Sequence, residues 1–182
     1  MDVWHDFTDP MNSVSMGTAA LRLMTAILLG GIIGWEREIN SRAAGLRTHM
    51  LIALAAAAFA IVAMELTSFE SAPGVGLQTD PLRLIEAVTS GVAFLAAGSI
   101  VITGASVRGV TTGASMWLCG AIGLCCGVGD VKLAGLVTLM AIIVLWLIQQ
   151  FVTPVAEHVR DNRADAGRGD TDAGGTNADR GG

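Results

Sequence analysis

THMLIALAAAAFAIVAMEL, residues 48–66, is the stretch whose reading decides the fold. Between His49 and Glu65 it carries no ionisable side chain. A helix rising about 1.5 Å per residue needs roughly 20 such residues to cross a bilayer core about 30 Å thick. Every backbone amide in lipid must be paired, and only helices or closed barrels achieve that. The run is too continuous for a barrel strand, which alternates apolar and polar residues over about ten positions. Outward from it, four more apolar runs are predicted as spans: 16–35, 84–104, 110–128 and 133–151. The predicted fold is all-α, a polytopic membrane bundle of about five transmembrane helices.

The whole composition agrees. Of 182 residues 52% are hydrophobic and only 15% charged, where soluble domains carry about 25% charged. The expected organisation is a short external segment at 1–15, a transmembrane domain at 16–151, and a polar tail at 152–182. That tail, rich in Gly, Asp, Arg and Ala, has little to bury and is expected to be mostly disordered. The segment 68–78, with Pro73, Gly74 and Gly76, reads as a flexible external loop. Asp2, Asp6 and Asp9 leave no basic region ahead of the first run, so that run is read as a retained helix rather than a cleaved signal. A net charge of −5 argues against nucleic acid as a partner.

The charges are sorted by sign. Arg37, Arg42, Arg47, Arg108, Arg160, Arg163, Arg168 and Arg180 fall on one side of a five-span arrangement. Asp2, Asp6, Asp9, Glu70, Asp80 and Asp130 fall on the other. Basic loops stay in the cytoplasm, so the N-terminus is expected outside and the C-terminus inside.

Lipid removes the hydrophobic drive between helices, so small residues that allow close approach become the glue. Gly30 and Gly34, Gly109 and Gly113, and Gly123 and Gly127 are each four apart, and Gly91 and Gly98 seven apart. Each pair shares a helix face and is expected to pack against a neighbour. A dimer face or a pathway lined by backbone is the other reading.

Glu65 and Glu86 sit near the outer ends of their spans, and Asp80 just before the third. These three are the candidates for a Mg²⁺ contact, because Mg²⁺ keeps several waters and binds through one or two carboxylates. Pairing of Glu86 with Arg83, three residues before it, is the competing reading. No cofactor is expected beyond that weak contact. Cys119, Cys125 and Cys126 have neither disulfide-framework nor zinc spacing. At the inner side Arg37 suits the end of the first helix, whereas Glu36 opposes its dipole. Glu36 is therefore expected to pair with Arg47 or Arg108, as a clasp or as a docking surface. His49 reads as an interfacial polar residue.

Ser115, in Gly113-Ala114-Ser115-Met116, is a candidate nucleophile only if a base lies within reach. His5, His49 and His158 all fall outside helix centres, and no helix carries paired aspartates. An enzyme is not expected.

Several blocks, in one order, resemble the bacterial MgtC/SapB membrane family. They are Gly31-Ile32-Ile33-Gly34-Trp35-Glu36-Arg37-Glu38 with Ala44-Gly45-Leu46-Arg47-Thr48; Asp80-Pro81 and Arg83 with Ser90-Gly91-Val92-Ala93-Phe94-Leu95-Ala96-Ala97-Gly98; Val107-Arg108-Gly109-Val110-Thr111-Thr112-Gly113; and Ala121-Ile122-Gly123-Leu124 with Cys126-Gly127-Val128-Gly129. Ala93 and Ala96 stand where the family usually has glycine. The resemblance implies an inner-membrane protein of magnesium homeostasis, in a virulence-related family whose longer members append a cytoplasmic domain. It implies regulation of the ATP synthase or of P-type Mg²⁺-transporting ATPases, and points to Glu36, Arg37, Arg47, Asp80, Arg83, Arg108 and Thr112 as motif residues. Its expected partners are the bilayer, such a membrane machine and a second copy of the chain. A Mg²⁺ or proton-linked transporter is the alternative, although the helix centres carry no charge to serve one.

Overall fold

The structure, a computed structural model, describes residues 13–69 and 80–147. The chain divides into two compact units, residues 1–142 and 143–182; the second contributes only residues 143–147 to those described. The external segment up to residue 12, most of the 68–78 loop and the polar tail lie outside the described residues.

Among the described residues five helices and one small ribbon follow in order: α1 (Met16–Ile39), α2 (Leu46–Phe69), α3 (Pro81–Gly98), β1 (Val101–Thr103), β2 (Ser106–Arg108), α4 (Val110–Val128) and α5 (Val131–Leu147). α1, α2 and α4 are each long and apolar enough to cross a membrane; α5 is a shorter apolar helix. The chain is a membrane protein built as an α-helical bundle.

Local chemistry sets the helix ends. Ser15 caps α1, its Oγ accepting from Thr18 N at 3.3 Å. Asp80 caps α3, accepting from Leu82 N at 2.9 Å ahead of Pro81 at the first helical position. α4 ends at Gly129, whose φ of +98° lets Gly129 N and Asp130 N return to Cys126 O and Cys125 O. Asp130 at once caps α5, accepting from Leu133 N at 3.0 Å. Of the carboxylates assigned from the sequence to the outer side, Asp80 and Asp130 are thus helix caps.

The third span is shorter than the predicted 84–104. α3 stops at Gly98, where Ser99 N and Ile100 N close a last turn on Ala96 O and Ala97 O. Val101-Ile102-Thr103 and Ser106-Val107-Arg108 then pair antiparallel, Val101 opposite Arg108, around a turn with Gly104 at φ +58°. Hydropathy had merged these β-branched residues with the helix; their strand preference and the turn glycine separate them.

The packing is made by small residues. α2 presents Ala53, Ala57 and Ala60, all fully buried. A Cβ added at Gly30 of α1 would stand 2.8 Å from Ala53 Cβ and from His49 O, and one at Gly34 2.7 Å from Leu46 Cα. On α4, a Cβ at Gly127 would stand 2.5 Å from Ala57 O, and one at Gly123 would run into Ala53 O. α2 is thus held at backbone distance by both α1 and α4. α3 leans chiefly on α4 through Val88, Val92 and Ala96, with Gly113 3.2 Å from Ala96 O on the same measure.

Gly91 and Gly98 do not pack as predicted: nothing lies within 4 Å of a Cβ at either. The Val88–Val92–Ala96 stripe faces α4 and turns both glycines away. α3 is left as the least covered helix, with Phe94 81% exposed.

Candidate functional site

Four of the five buried polar side chains among the described residues, Arg37, His49, Thr112 and Ser115, gather at one end, where α1 stops, α2 starts and α4 starts; the fifth, Thr138, lies within α5. Arg37 is 2% exposed although it belongs to the last turn of an apolar helix. Its Nη2 donates to Thr112 Oγ1 of α4 at 2.9 Å, while its Nε is buried with no hydrogen-bond partner among the described residues. Burying a guanidinium costs heavily unless its donors and charge are met.

The turn after α1 is tied down. Asn40 Nδ2 donates to Glu36 O at 2.7 Å and to Glu36 Oε1 at 2.9 Å. Arg42 N returns to Arg37 O at 3.1 Å. Ser41 takes φ +50°, a left-handed conformation uncommon outside glycine and frequent at working sites. Glu38 Oε2 then accepts from Leu46 N at 3.0 Å, so a side chain of α1 caps α2.

His49 is fully buried, one turn inside α2. It is not the interfacial residue predicted. Its Nδ1 lies 2.8 Å from Gly45 O and its Nε2 3.0 Å from Ser115 Oγ, while Ser115 Oγ lies 2.9 Å from Thr112 O. A carbonyl only accepts, so Nδ1 carries a proton. With a neutral ring, the Ser115 hydroxyl donates to Nε2; with a doubly protonated ring, Nε2 donates to Ser115, which then donates to Thr112 O. Either way one chain of hydrogen bonds runs from α2 to α4.

The expectation that no histidine reaches Ser115 is therefore overturned. The pair has the spacing of a nucleophile and its base, yet Ser115 is 4% exposed and His49 fully buried, and neither lines the cleft beside them. What the pair does here is join two helices.

That cleft has a volume of ≈ 650 Å³ and is lined by the turn after α1, by β2 and by the first turn of α4. Arg37, Arg42 and Arg108 line it with Ser41, Thr111 and Thr112, and among the described residues no acidic one does. α4 opens at Gly109, with φ +89° and no side-chain cap on the helix. A side chain at 109 is barred because its Cβ would run into Ser99 O. Basic side chains, a positive helix end and hydroxyls thus converge on one space.

The motif residues taken from the sequence separate into two groups. Arg37, Arg108 and Thr112 line the cleft. Glu36 bonds Asn40 beside it, and Arg47 is exposed. Asp80 and Arg83 stand at the other end of the bundle, where Asp80 serves as a cap. The Mg²⁺ candidates are not gathered into one cage: no three His, Cys, Asp or Glu groups converge among the described residues. Glu65 accepts from Ser13 N at 3.0 Å and Ser13 Oγ at 2.6 Å, Asp80 caps α3, and Glu86 is exposed. These carboxylates come from two helix ends, Glu65 from the end of α2 and Asp80 and Glu86 from the start of α3, and Glu65 and Asp80 already accept from backbone or hydroxyl donors. Arg42, Ser41, His49 and Ser115 were missed as site residues. The signals available for them were an ionisable residue one turn inside an apolar run and a serine one turn beyond Thr112.

Known proteins match the same region. The model of the MgtC family matches residues 23–153. Protein MgtC of Brucella abortus is 40% identical over 130 residues, covering 71% of this chain and 51% of that protein. Protein MgtC of Salmonella typhimurium is 41% identical over 112 residues, covering 62% of this chain and 44% of that protein. The chain spans about half the length of the curated relatives it matches. No solved structure matches it.

Proposed function

The chain belongs to the MgtC family, and from that premise we propose that it serves adaptation to low magnesium by regulating other membrane machinery, the ATP synthase or Mg²⁺-transporting ATPases, through helix and inner-loop contacts in the bacterial inner membrane. It does so with its N-terminus outside and its C-terminus in the cytoplasm. The observation that carries this reading is the unequal cover of the helices. α1 and α4 each close on α2 at backbone distance, whereas α3 leaves an apolar groove of ≈ 340 Å³ against α2, lined by Leu51, Ala55, Phe59, Gly91 and Leu95. Small residues flanked by large apolar ones are what a further membrane helix packs against.

A carrier would need polar groups near mid-depth. Residues 23–35, 50–64, 87–98 and 110–128 contain no Asp, Glu, Lys or Arg. The buried polar chain from Gly45 to Thr112 stays at one end of the bundle. Elsewhere the α1–α2–α4 interior packs glycine against alanine and buries Ile33, Ile122 and Cys119.

A photo-crosslinking residue in place of Phe94, used in native membranes during Mg²⁺ starvation, tests the reading. Capture of an ATP synthase or transport ATPase subunit is the expected result. Crosslinks only to other copies of the chain, or Mg²⁺ flux by the purified protein alone in liposomes, would refute it.

A further inference from the structure

We propose that the Arg37–Arg42–Arg108 cleft binds a phosphoryl anion, that of an anionic phospholipid whose acyl chain runs along the groove between α3 and α4. The inference is independent of the regulatory reading above.

The first support is charge. Three guanidinium groups line one space that contains no lining carboxylate among the described residues. Arg42 repels Arg37 across it, and Glu36, which stands beside the cleft without lining it, offsets that repulsion. Arginine forks match phosphate oxygens in pairs of parallel hydrogen bonds, and arginine stays charged in proteins. The second support is the start of α4. Its first turn points unpaired backbone donors outward, as every helix start does, and no side chain caps it. A 19-residue helix brings its positive dipole end to the same place.

Neither feature alone would specify a ligand. The third observation does: Arg37, 98% covered by protein, lines the cleft, and among the described residues its Nε has no hydrogen-bond partner. A buried charged donor left idle is costly. Nε itself is shut off from solvent, so an anion in the cleft offsets the charge of the Arg37 guanidinium rather than bonding Nε. Thr112 occupies only Nη2, so the guanidinium is oriented but not saturated. Ser41 and Thr111 add hydroxyl donors along the same wall.

The lipid assignment comes from the neighbouring surface. Val110 lines both the basic cleft and an apolar groove of ≈ 280 Å³ that continues between α3 and α4 past Ala93, Ala97, Ala114 and Trp117. A charged head space that opens into an apolar trough at the end of a membrane span has the two-part chemistry of a phospholipid. Basic pockets between spans bind anionic head groups in this manner. A free phosphate would use only the first part.

Trp117 borders the groove and supplies the probe. The full chain would be prepared with Trp117 as its sole tryptophan, by Trp4→Phe, Trp35→Phe and Trp146→Phe. It would then be placed in phosphatidylcholine vesicles in which a minor fraction of lipid is brominated phosphatidylglycerol or brominated phosphatidylcholine. Quenching at equal mole fraction should be several-fold stronger with the phosphatidylglycerol. Arg42→Gln and Arg108→Gln alter exposed side chains, so they spare the buried Arg37 and the fold, which circular dichroism checks. Each should lower the preference about fivefold, the ratio that corresponds to about 1 kcal/mol per cation at an anionic surface. R42K/R108K should retain part of the preference. Equal quenching by the two lipids, or an undiminished preference in the folded R42Q/R108Q protein, would overturn the proposal. Saturable binding of inorganic phosphate to the protein in neutral detergent would overturn the lipid assignment; none is expected.

Discussion

Gly127→Ala and Gly91→Ala make the same chemical change on two helices of one bundle, and the structure assigns them opposite outcomes. A Cβ at Gly127 would stand 2.5 Å from Ala57 O and 2.6 Å from Ala60 Cβ. Ordinary contact lies at about 3.5–4 Å, so α2 and α4 must separate by about 1 Å. No flexible side-chain tip can give way, because one obstacle is backbone and the other a Cβ. Separation also strains the bond from Arg22 Nη1 to Gly127 O, 2.8 Å long in the intact bundle. Overpacking of this kind costs about 1–3 kcal/mol. With backbone as the obstacle, the upper half of that range, about 2–3 kcal/mol, is expected. Gly91 meets nothing within 4 Å, so alanine there adds no clash and gains up to about 1 kcal/mol of helix propensity. The pair should differ by about 3 kcal/mol, roughly two decades in the unfolding equilibrium. Reversible unfolding in mixed micelles, followed by circular dichroism, measures both variants on one scale. Equal stabilities, or a less stable Gly91→Ala, would refute the argument that α2 and α4 meet at backbone distance while this face of α3 is open.

Three further outcomes follow from the polar end. Glu38→Ala should cost about 1 kcal/mol by removing the cap on Leu46 N, and should raise amide exchange at Leu46; unchanged exchange there would remove the cap. His49→Ala and Ser115→Ala should be non-additive by about 0.5–3 kcal/mol in a double-mutant cycle, and ¹⁵N spectra of the intact protein should show a proton on His49 Nδ1; additive effects or an Nε2-only tautomer would contradict the chain of hydrogen bonds. A single cysteine in place of Ala105, at the hairpin turn, should react with a membrane-impermeant maleimide only from the cytoplasmic side, in a chain whose three native cysteines are first replaced by alanine. Labelling from outside would reverse the proposed orientation.

How far the sequence reaches depends on which physical variable a feature uses. Span lengths follow from hydropathy summed along the chain, and α4 begins and ends where its apolar run does. The hairpin was lost to the same sum, because Val101-Ile102-Thr103 is as apolar as a helix and differs from one only in shape preference. Glycine spacing names a face but not its partner. Gly123 and Gly127 meet the buried alanines of α2, whereas Gly91, with an equally regular spacing, faces outward because Val88 and Val92 take the contact instead. Charges follow the same logic. Glu36 and Arg37 are adjacent, yet about 100° apart around the helix. That rotation puts Arg37 against Thr112, 75 residues away, and leaves Glu36 with Asn40. No local pattern announces a contact across that separation.

The polar end and the small-residue interior are two halves of one solution. Helices that touch through glycine and alanine gain closeness but little directional preference, since one small-residue face can slide along another. Directional bonds placed at a single depth remove that freedom. Arg37 to Thr112 fixes α1 against α4, Ser115 to His49 fixes α4 against α2, and Glu38 to Leu46 N fixes α1 against α2. The three pairs close a triangle across the three helices that pack most closely. α3 does not enter it, and α3 is also the helix whose glycines stay open. The chain therefore locks register among α1, α2 and α4 and leaves apolar surface open along α3. Thr112 belongs both to the triangle and to the wall of the basic cleft. An anion drawn to Arg37 would sit directly on the link that fixes α1 to α4.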